Sequence, residues 1–190
     1  MTNLFKILRK SKMRLLLHIC CGPCALYPIK QLAEKKFKEV TGYYYNPNIH
    51  PPSEYKRRRD VLAEAAKKIG FEVIYAPYKM EEYFRKTAFK ENPVERCGLC
   101  WRLRLSETAD FAVKNGFNAF TTTLLISPYQ DHAVVKAIAE DIAREKHIDF
   151  YYEDFRKGFK ESQEEAKKQD LYRQKYCGCV FSELERVKIS

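Results

Sequence analysis

The sequence has no apolar stretch long enough to cross a bilayer. Its longest run, Leu15 to Cys21, is interrupted by His18, where a spanning helix needs ~20 residues. It has no Pro/Gly/Ser-rich linker, no internal repeat and no low-complexity block in its 190 residues. One domain, residues 1–190, is therefore expected, large enough to bury a core without disulfide staples. A secretory signal is also missing. Residues 1–13 are basic, but the apolar part that follows is brief, and thiols stand where small cleavage-site residues belong. This segment reads as a lead-in to a first strand, and the protein as cytoplasmic with no membrane partner. Acidic groups are in deficit: 25 Asp and Glu against 35 Lys and Arg leave a charge of +10.

That excess favours a polyanionic partner, since Lys and Arg near phosphates release counterions. Thirteen Tyr and twelve Phe add rings on which bases stack, which tilts the reading toward nucleic acid. A hydrophobic content of 45% fits a globular chain and argues against disorder.

Strand-like and helix-like segments alternate. "MRLLLHIC" predicts a buried strand and "ALYPIKQLAEKKF" a helix of 3.6-residue period. "EVTGYYYN" is a second strand, followed by a turn, "NPNIHPPSEY", and a helix capped by Ser53 that runs to Ile69 and stops at Gly70. "FEVIYAPY" is a third strand, and residues 80–96 are a charged helical connection. A helix over 97–116, a fourth strand "FNAFTTTLL" and a helix "QDHAVVKAIAEDIAREK" come next. A fifth strand "IDFYYED" and a last helix over 161–176 complete the chain. The alternation predicts an α/β protein: a single doubly wound, Rossmann-like domain with a mostly parallel five-stranded sheet and helices on both faces. Ligands of such sheets bind beyond the C-terminal strand ends. The loops after strands one, two and four should then share one rim.

Cysteine is in excess. Seven fall into three sets: Cys20-Cys21-x-x-Cys24, Cys97-x-x-Cys100 and Cys177-x-Cys179. An odd number in a reducing compartment points away from structural disulfides. A thioredoxin-like exchanger needs one such pair at a helix start, usually after an aromatic residue; here Cys20 takes that place and four cysteines are left over. Zinc is a stronger reading, since two C-x-x-C pairs make a tetrahedral thiolate set, but 72 residues part Cys24 from Cys97. An iron–sulfur cluster takes four thiolates from loops far apart in sequence. Spacing does not decide which two of Cys20, Cys21 and Cys24 would serve it. Cys177 and Cys179 can form a strained, easily reduced disulfide or ligate a second metal.

"HICCGPC", "YYNPNIHPPSEYKRR", "RCGLCWRLRL", "TTTLLISPYQD" and "YRQKYCGCVFS" occur in this order from residue 18 to residue 182. In these stretches the chain resembles the epoxyqueuosine reductases of the QueH type. The resemblance implies the last step of queuosine synthesis. Epoxyqueuosine at the tRNA wobble position loses its epoxide oxygen, giving an alkene and water at a cost of two electrons and two protons. It implies a [4Fe-4S] cluster with ligands at Cys20, Cys21, Cys97 and Cys100, Cys24 being the alternative ligand. It further implies a redox-active or metal-binding pair at Cys177 and Cys179, a second mononuclear iron, an unidentified electron donor, and tRNA carrying epoxyqueuosine as partner. Two rivals remain. One is a zinc-containing tRNA-binding protein without redox activity. The other is an ATP-dependent tRNA thiolase, which needs a Ser-Gly-Gly-type loop where this chain has "HICCGPC".

Each remaining candidate has a structural reading beside the functional one. Asp131 is a proton donor or iron ligand, or a helix cap; His132 has weaker claims of the same kind. Asn46, Asn48 and His50 contact substrate or form a turn. Tyr129, with Tyr44 and Tyr45, stacks on a flipped base or fills the core. Arg57 and Arg58 of "KRRR", and Arg102 and Arg104 of "RLR", bind phosphate or lie on solvated helix faces. His18, inside a buried strand, is expected to be a hydrogen-bonded core histidine.

Overall fold

The computed structural model describes residues 13–188 apart from residue 36. All but the last residue of the expected basic lead-in lies outside the described residues. Five strands form one sheet in the order β3-β2-β1-β4-β5, every neighbouring pair parallel. The strands are β1 (Arg14–His18), β2 (Glu39–Tyr44), β3 (Val73–Tyr75), β4 (Ala119–Thr122) and β5 (Asp149–Phe150). β1 lies at the centre, with Leu15 beside Val40 on one side and Ala119 on the other. Leu15, Leu16 and Leu17 are all fully buried. A central parallel strand is covered on both faces, which explains an unbroken apolar run in place of alternation.

Seven α-helices are described: α1 (Gly22–Ala33), α2 (Pro52–Ile69), α3 (Met80–Thr87), α4 (Pro93–Lys114), α5 (His132–Lys146), α6 (Phe159–Lys168) and α7 (Val180–Lys188). α1 packs on α2 and α6; α4 packs on α3 and α5. These are the two helix layers of a doubly wound fold.

Local chemistry sets most boundaries. α2 stops at Gly70, whose φ of 65° is the left-handed cap that favours glycine. Its start differs from expectation: Pro51 is the cap residue, and Ser53 lies within the first turn without capping it. The expected helical connection over 80–96 is two helices broken at residues 88–92. Pro93 disfavours helical geometry in the residue before it and opens α4, whose Val94 N–H is taken by the Asn92 side chain at 2.9 Å. The fourth strand is shorter than expected, giving way to a 3₁₀ turn at Thr123–Ile126, and the fifth has only two residues. The last expected helix ends at Lys168. Residues 169–179 form an irregular strap, and α7 follows unforeseen.

The strand order turns back between β1 and β4, so the loops leaving these strands diverge and open a crevice. All three cysteine sets meet around it.

Candidate active site

Cys20 leaves the end of β1. Its N–H donates to Thr123 Oγ1 at 3.0 Å, and that hydroxyl lies 3.2 Å from the Cys20 sulfur. The loops after β1 and β4 are thereby joined. Cys21 is the residue before α1, and Cys24 sits in its first turn. The Cys20, Cys21 and Cys24 sulfurs all lie within 4.8 Å of one another, close enough to hold a metal ion together. Hydrogen bonds from the Cys21 and Cys24 sulfurs, aided by Arg104 and Thr123, draw the Cys20 thiol well below its ordinary range. Burial pushes Cys21 the opposite way, and the hydrogen bond to Cys20 raises Cys24. Of the three, Cys20 is the thiol whose ionised form the site favours.

Cys97 and Cys100 lie in the first two turns of α4. Burial raises their thiols to about 11 and about 12. Cys100, Cys179 and Tyr83 form a small buried cluster. Cys177 is exposed and lies on both of two adjoining clefts. The first, about 560 Å³, is lined among others by Cys20, Cys24, Arg104, Tyr129 and Gln130. The second, about 380 Å³, contains Cys97, Cys100, Cys179, Asn48 and Asp131. All seven cysteines are free thiols. The group of three sulfurs does not include Cys97 or Cys100. What joins the sets is Arg104, one turn beyond Cys100, whose charge is felt by Cys20, Cys100 and Cys177.

The other candidates fall into two kinds. Tyr129 is 83% exposed, stands edge-on to Phe159 at 5.8 Å, and lines both clefts. Asp131 caps α5 through the Val134 N–H at 3.0 Å and also faces the second cleft. Asn48 is buried there with its Oδ1 unpartnered. Arg57 is exposed and stacks over the Tyr172 ring at 3.5 Å.

The rest are turned inward or away. Asn46 donates to the Ile19 carbonyl at 2.9 Å and accepts from Arg104 at 2.7 Å, so both ends of its amide are used within the protein. His50 is buried and clamps the strap, its N–H donating to the Gly178 carbonyl at 2.8 Å. Arg58 is buried against Glu54 and the strap. Arg102 pairs with Glu145 and lines neither thiol cleft. Tyr44 and Tyr45 are core residues, not stacking platforms. His132 meets the Tyr152 hydroxyl at 3.1 Å. His18 is the expected buried histidine, held by Thr122 and the Tyr45 carbonyl.

Thr123, Gln130 and Gln174 are site residues that sequence reasoning did not single out, and Arg104, a phosphate candidate in "RLR", is buried beside the thiols instead. Gln174 Nε2 lies 2.8 Å from the Cys21 sulfur and Gln130 Nε2 3.9 Å from that of Cys177. Only Arg104 left a signal: it follows Cys97 and Cys100 by seven and four residues, on one helix face.

The all-parallel α/β fold of this domain is represented among solved structures. The U34-tRNA thiolase NcsA from Methanococcus maripaludis, described with its [4Fe-4S] cluster, superposes with a TM-score of 0.54 over 94% of this chain and 68% of its own, at 13% identity. A predicted tRNA methyltransferase subunit from Methanocaldococcus jannaschii gives 0.51 over 82% and 74%, at 16% identity. These likenesses establish the fold. Within that fold class, the chain belongs to the epoxyqueuosine reductase QueH family, whose sequence model matches residues 15–185. The epoxyqueuosine reductase QueH of Dehalococcoides mccartyi is 42% identical over 91% of this chain and 94% of its own. That of Thermotoga maritima is 38% identical over 90% and 91%.

Proposed function

We propose that the conversion of epoxyqueuosine to queuosine in tRNA, the activity of the family to which the chain belongs, takes place where the two thiol clefts meet at Cys177. The observation that carries this is the convergence of three cysteine sets, remote in sequence, on one crevice whose wall also presents an exposed tyrosine.

The residues fit a thiolate-bound metal centre. The donors are free thiols, and a buried guanidinium with an unpartnered Nε stands among them, which suits an anionic group. In this reading Cys20, Cys21, Cys97 and Cys100 hold a [4Fe-4S] cluster, with Cys24 in reserve beside the first pair. Bound there, the cluster supplies single electrons.

The chain's own residues do the remainder. Tyr129 offers a ring at the mouth of both clefts for a base turned out of its stack, with Arg173 and Lys175 on the same wall for its phosphates. Asp131, at the wall of the second cleft, relays a proton to the departing epoxide oxygen. Cys177 and Cys179 form a dithiol reservoir. Closing their disulfide releases two electrons and two protons, and departure of the epoxide oxygen as water consumes the same number. An electron donor outside this chain then reopens the disulfide. A second mononuclear iron on the same two thiols is the competing use of the pair.

The test is the iron, zinc and acid-labile sulfide content of protein purified without oxygen, followed by turnover on tRNA carrying epoxyqueuosine. About four iron and four sulfide per chain, with alkene formed, is the expected result. Iron beyond four assigns the extra site. One zinc and no sulfide, without turnover, replaces this reading with a zinc-containing tRNA-binding protein.

A further inference from the structure

Three arginines are fully buried around the clefts: Arg58, Arg96 and Arg104. Two have carboxylates. Arg58 pairs with Glu54 at 2.7 Å and Arg96 with Glu185 at 2.6 Å. Among the described residues no Asp or Glu forms an ion pair with Arg104. Its Nη2 donates to Asn46 Oδ1 at 2.7 Å, and its Nε has no partner. A guanidinium taken out of water without a counter-charge costs several kcal/mol, so the fold must supply the anion by other means. The negative charges that act on Arg104 are those of sulfurs: Cys100 one turn earlier on α4, and Cys20 from the loop after β1 and Cys177 from the strap, which line the first cleft together with Arg104.

Asn46 holds this cation in place. The same side-chain amide donates to the Ile19 carbonyl at 2.9 Å, directly before Cys20. Three chain segments are thus registered on one hydrogen-bonded bridge.

We propose that Arg104, oriented by Asn46, is a positioning residue that provides the counter-charge of the thiolate-bound centre and sets its reduction potential. This rests on the cluster reading given above. A fixed positive charge favours the more negative, reduced state of whatever the sulfurs bind. Removing it, or giving it a carboxylate of its own, makes reduction harder.

The experiment is a redox titration of the anaerobic, iron–sulfur-loaded protein, followed by absorbance and electron paramagnetic resonance. Three variants are compared with the unaltered protein: Arg104→Gln, Arg104→Lys and Asn46→Asp. Arg104→Gln and Asn46→Asp should keep their iron. At the unaltered protein's midpoint their ratio of reduced to oxidised centre should fall about tenfold, the scale of one charge acting across ~10 Å in a protein site. Arg104→Lys should restore most of it. Loaded Arg104→Gln and Asn46→Asp proteins with unchanged midpoints overturn the proposal.

Should the variants load no cluster, cadmium(II) titration of the metal-free proteins decides, read by thiolate charge-transfer absorbance. About tenfold weaker binding in Arg104→Gln, recovered in Arg104→Lys, is expected; equal affinities overturn the proposal. Should the unaltered protein itself take up no iron and sulfide, the cluster reading fails by that result alone, and the cadmium comparison still judges Arg104.

Discussion

Arg58 and Cys177 are 119 positions apart, and the Arg58 Nη1 donates to the Cys177 carbonyl at 2.9 Å. The same guanidinium reaches the Tyr176 carbonyl at 3.3 Å and Glu54 at 2.7 Å. Around it, the Tyr172 hydroxyl meets both Glu54 oxygens, the Tyr176 hydroxyl donates to the His50 carbonyl, and Arg57 covers the Tyr172 ring. The strap bearing the last two thiols is therefore fastened by α2 and the loop before it.

Replacing Arg58 by Ala strands a nearly buried Glu54 carboxylate and two carbonyls. A loss of about 3 kcal/mol is expected for breaking a buried pair, read as a lower urea midpoint. Turnover should fall with iron content unchanged, because the Arg58 contacts lie on the strap and not on the first two cysteine sets.

The cysteines should separate by assay. Ser at Cys20, Cys21, Cys97 or Cys100 is expected to remove iron, sulfide and turnover together. Ser at Cys177 or Cys179 should leave iron and sulfide at about four each while abolishing product. Nucleoside analysis of the tRNA alongside metal analysis reads both outcomes, and loss of the cluster in the Cys177 variant would reassign that thiol as a ligand.

His18 makes stability pH-dependent. Its Nε2 faces the Tyr45 carbonyl and must carry the proton, while Nδ1 accepts from the Thr122 hydroxyl at 2.8 Å. Burial, with Arg104 nearby, lowers its pKa to about 3. The unfolded chain takes up a proton near pH 6.5 that the folded chain refuses. Stability is then complete above pH 6.5 and declines as pH falls toward 3, by up to ~1.4 kcal/mol per pH step. Urea midpoints at pH 7, 6 and 5 should show this decline, and His18→Gln should flatten it. An equal slope in the variant would place the dependence elsewhere.

Tyr129→Ala should weaken tRNA binding without altering metal content. A stacked base contributes ~1–3 kcal/mol, so KM for modified tRNA should rise on the order of tenfold, and Tyr129→Phe should recover it. Unchanged KM would assign the exposed ring another role.

The fold was legible because its signals are local. The apolar run of β1, the 3.6-residue pattern of the helices and Gly70 at the end of α2 follow from backbone preference and burial. The parallel order then follows from the alternation of strand and helix, which carries the three loops to one rim. The first thiol set, Cys20, Cys21 and Cys24, could be placed on that rim from the sequence, whereas the places of Cys97, Cys100, Cys177 and Cys179 could not. The strap and α7 were not legible, since residues 169–179 take their shape from Glu54, Arg58 and His50 on a distant part of the chain.

The sequence alone therefore determined the α/β layering, the three cysteine sets and the family. The tertiary structure decided which charges are structural and which face the site. Arg57 and Arg58 are neighbours in one basic run, and Arg102 and Arg104 in another, yet one of each pair is exposed or surface-paired and the other fully buried. The energy of a charged group depends on the dielectric and the partners around it. For Arg58 and Arg104 those partners arrive from the strap, from α2 and from the loops after β1 and β2.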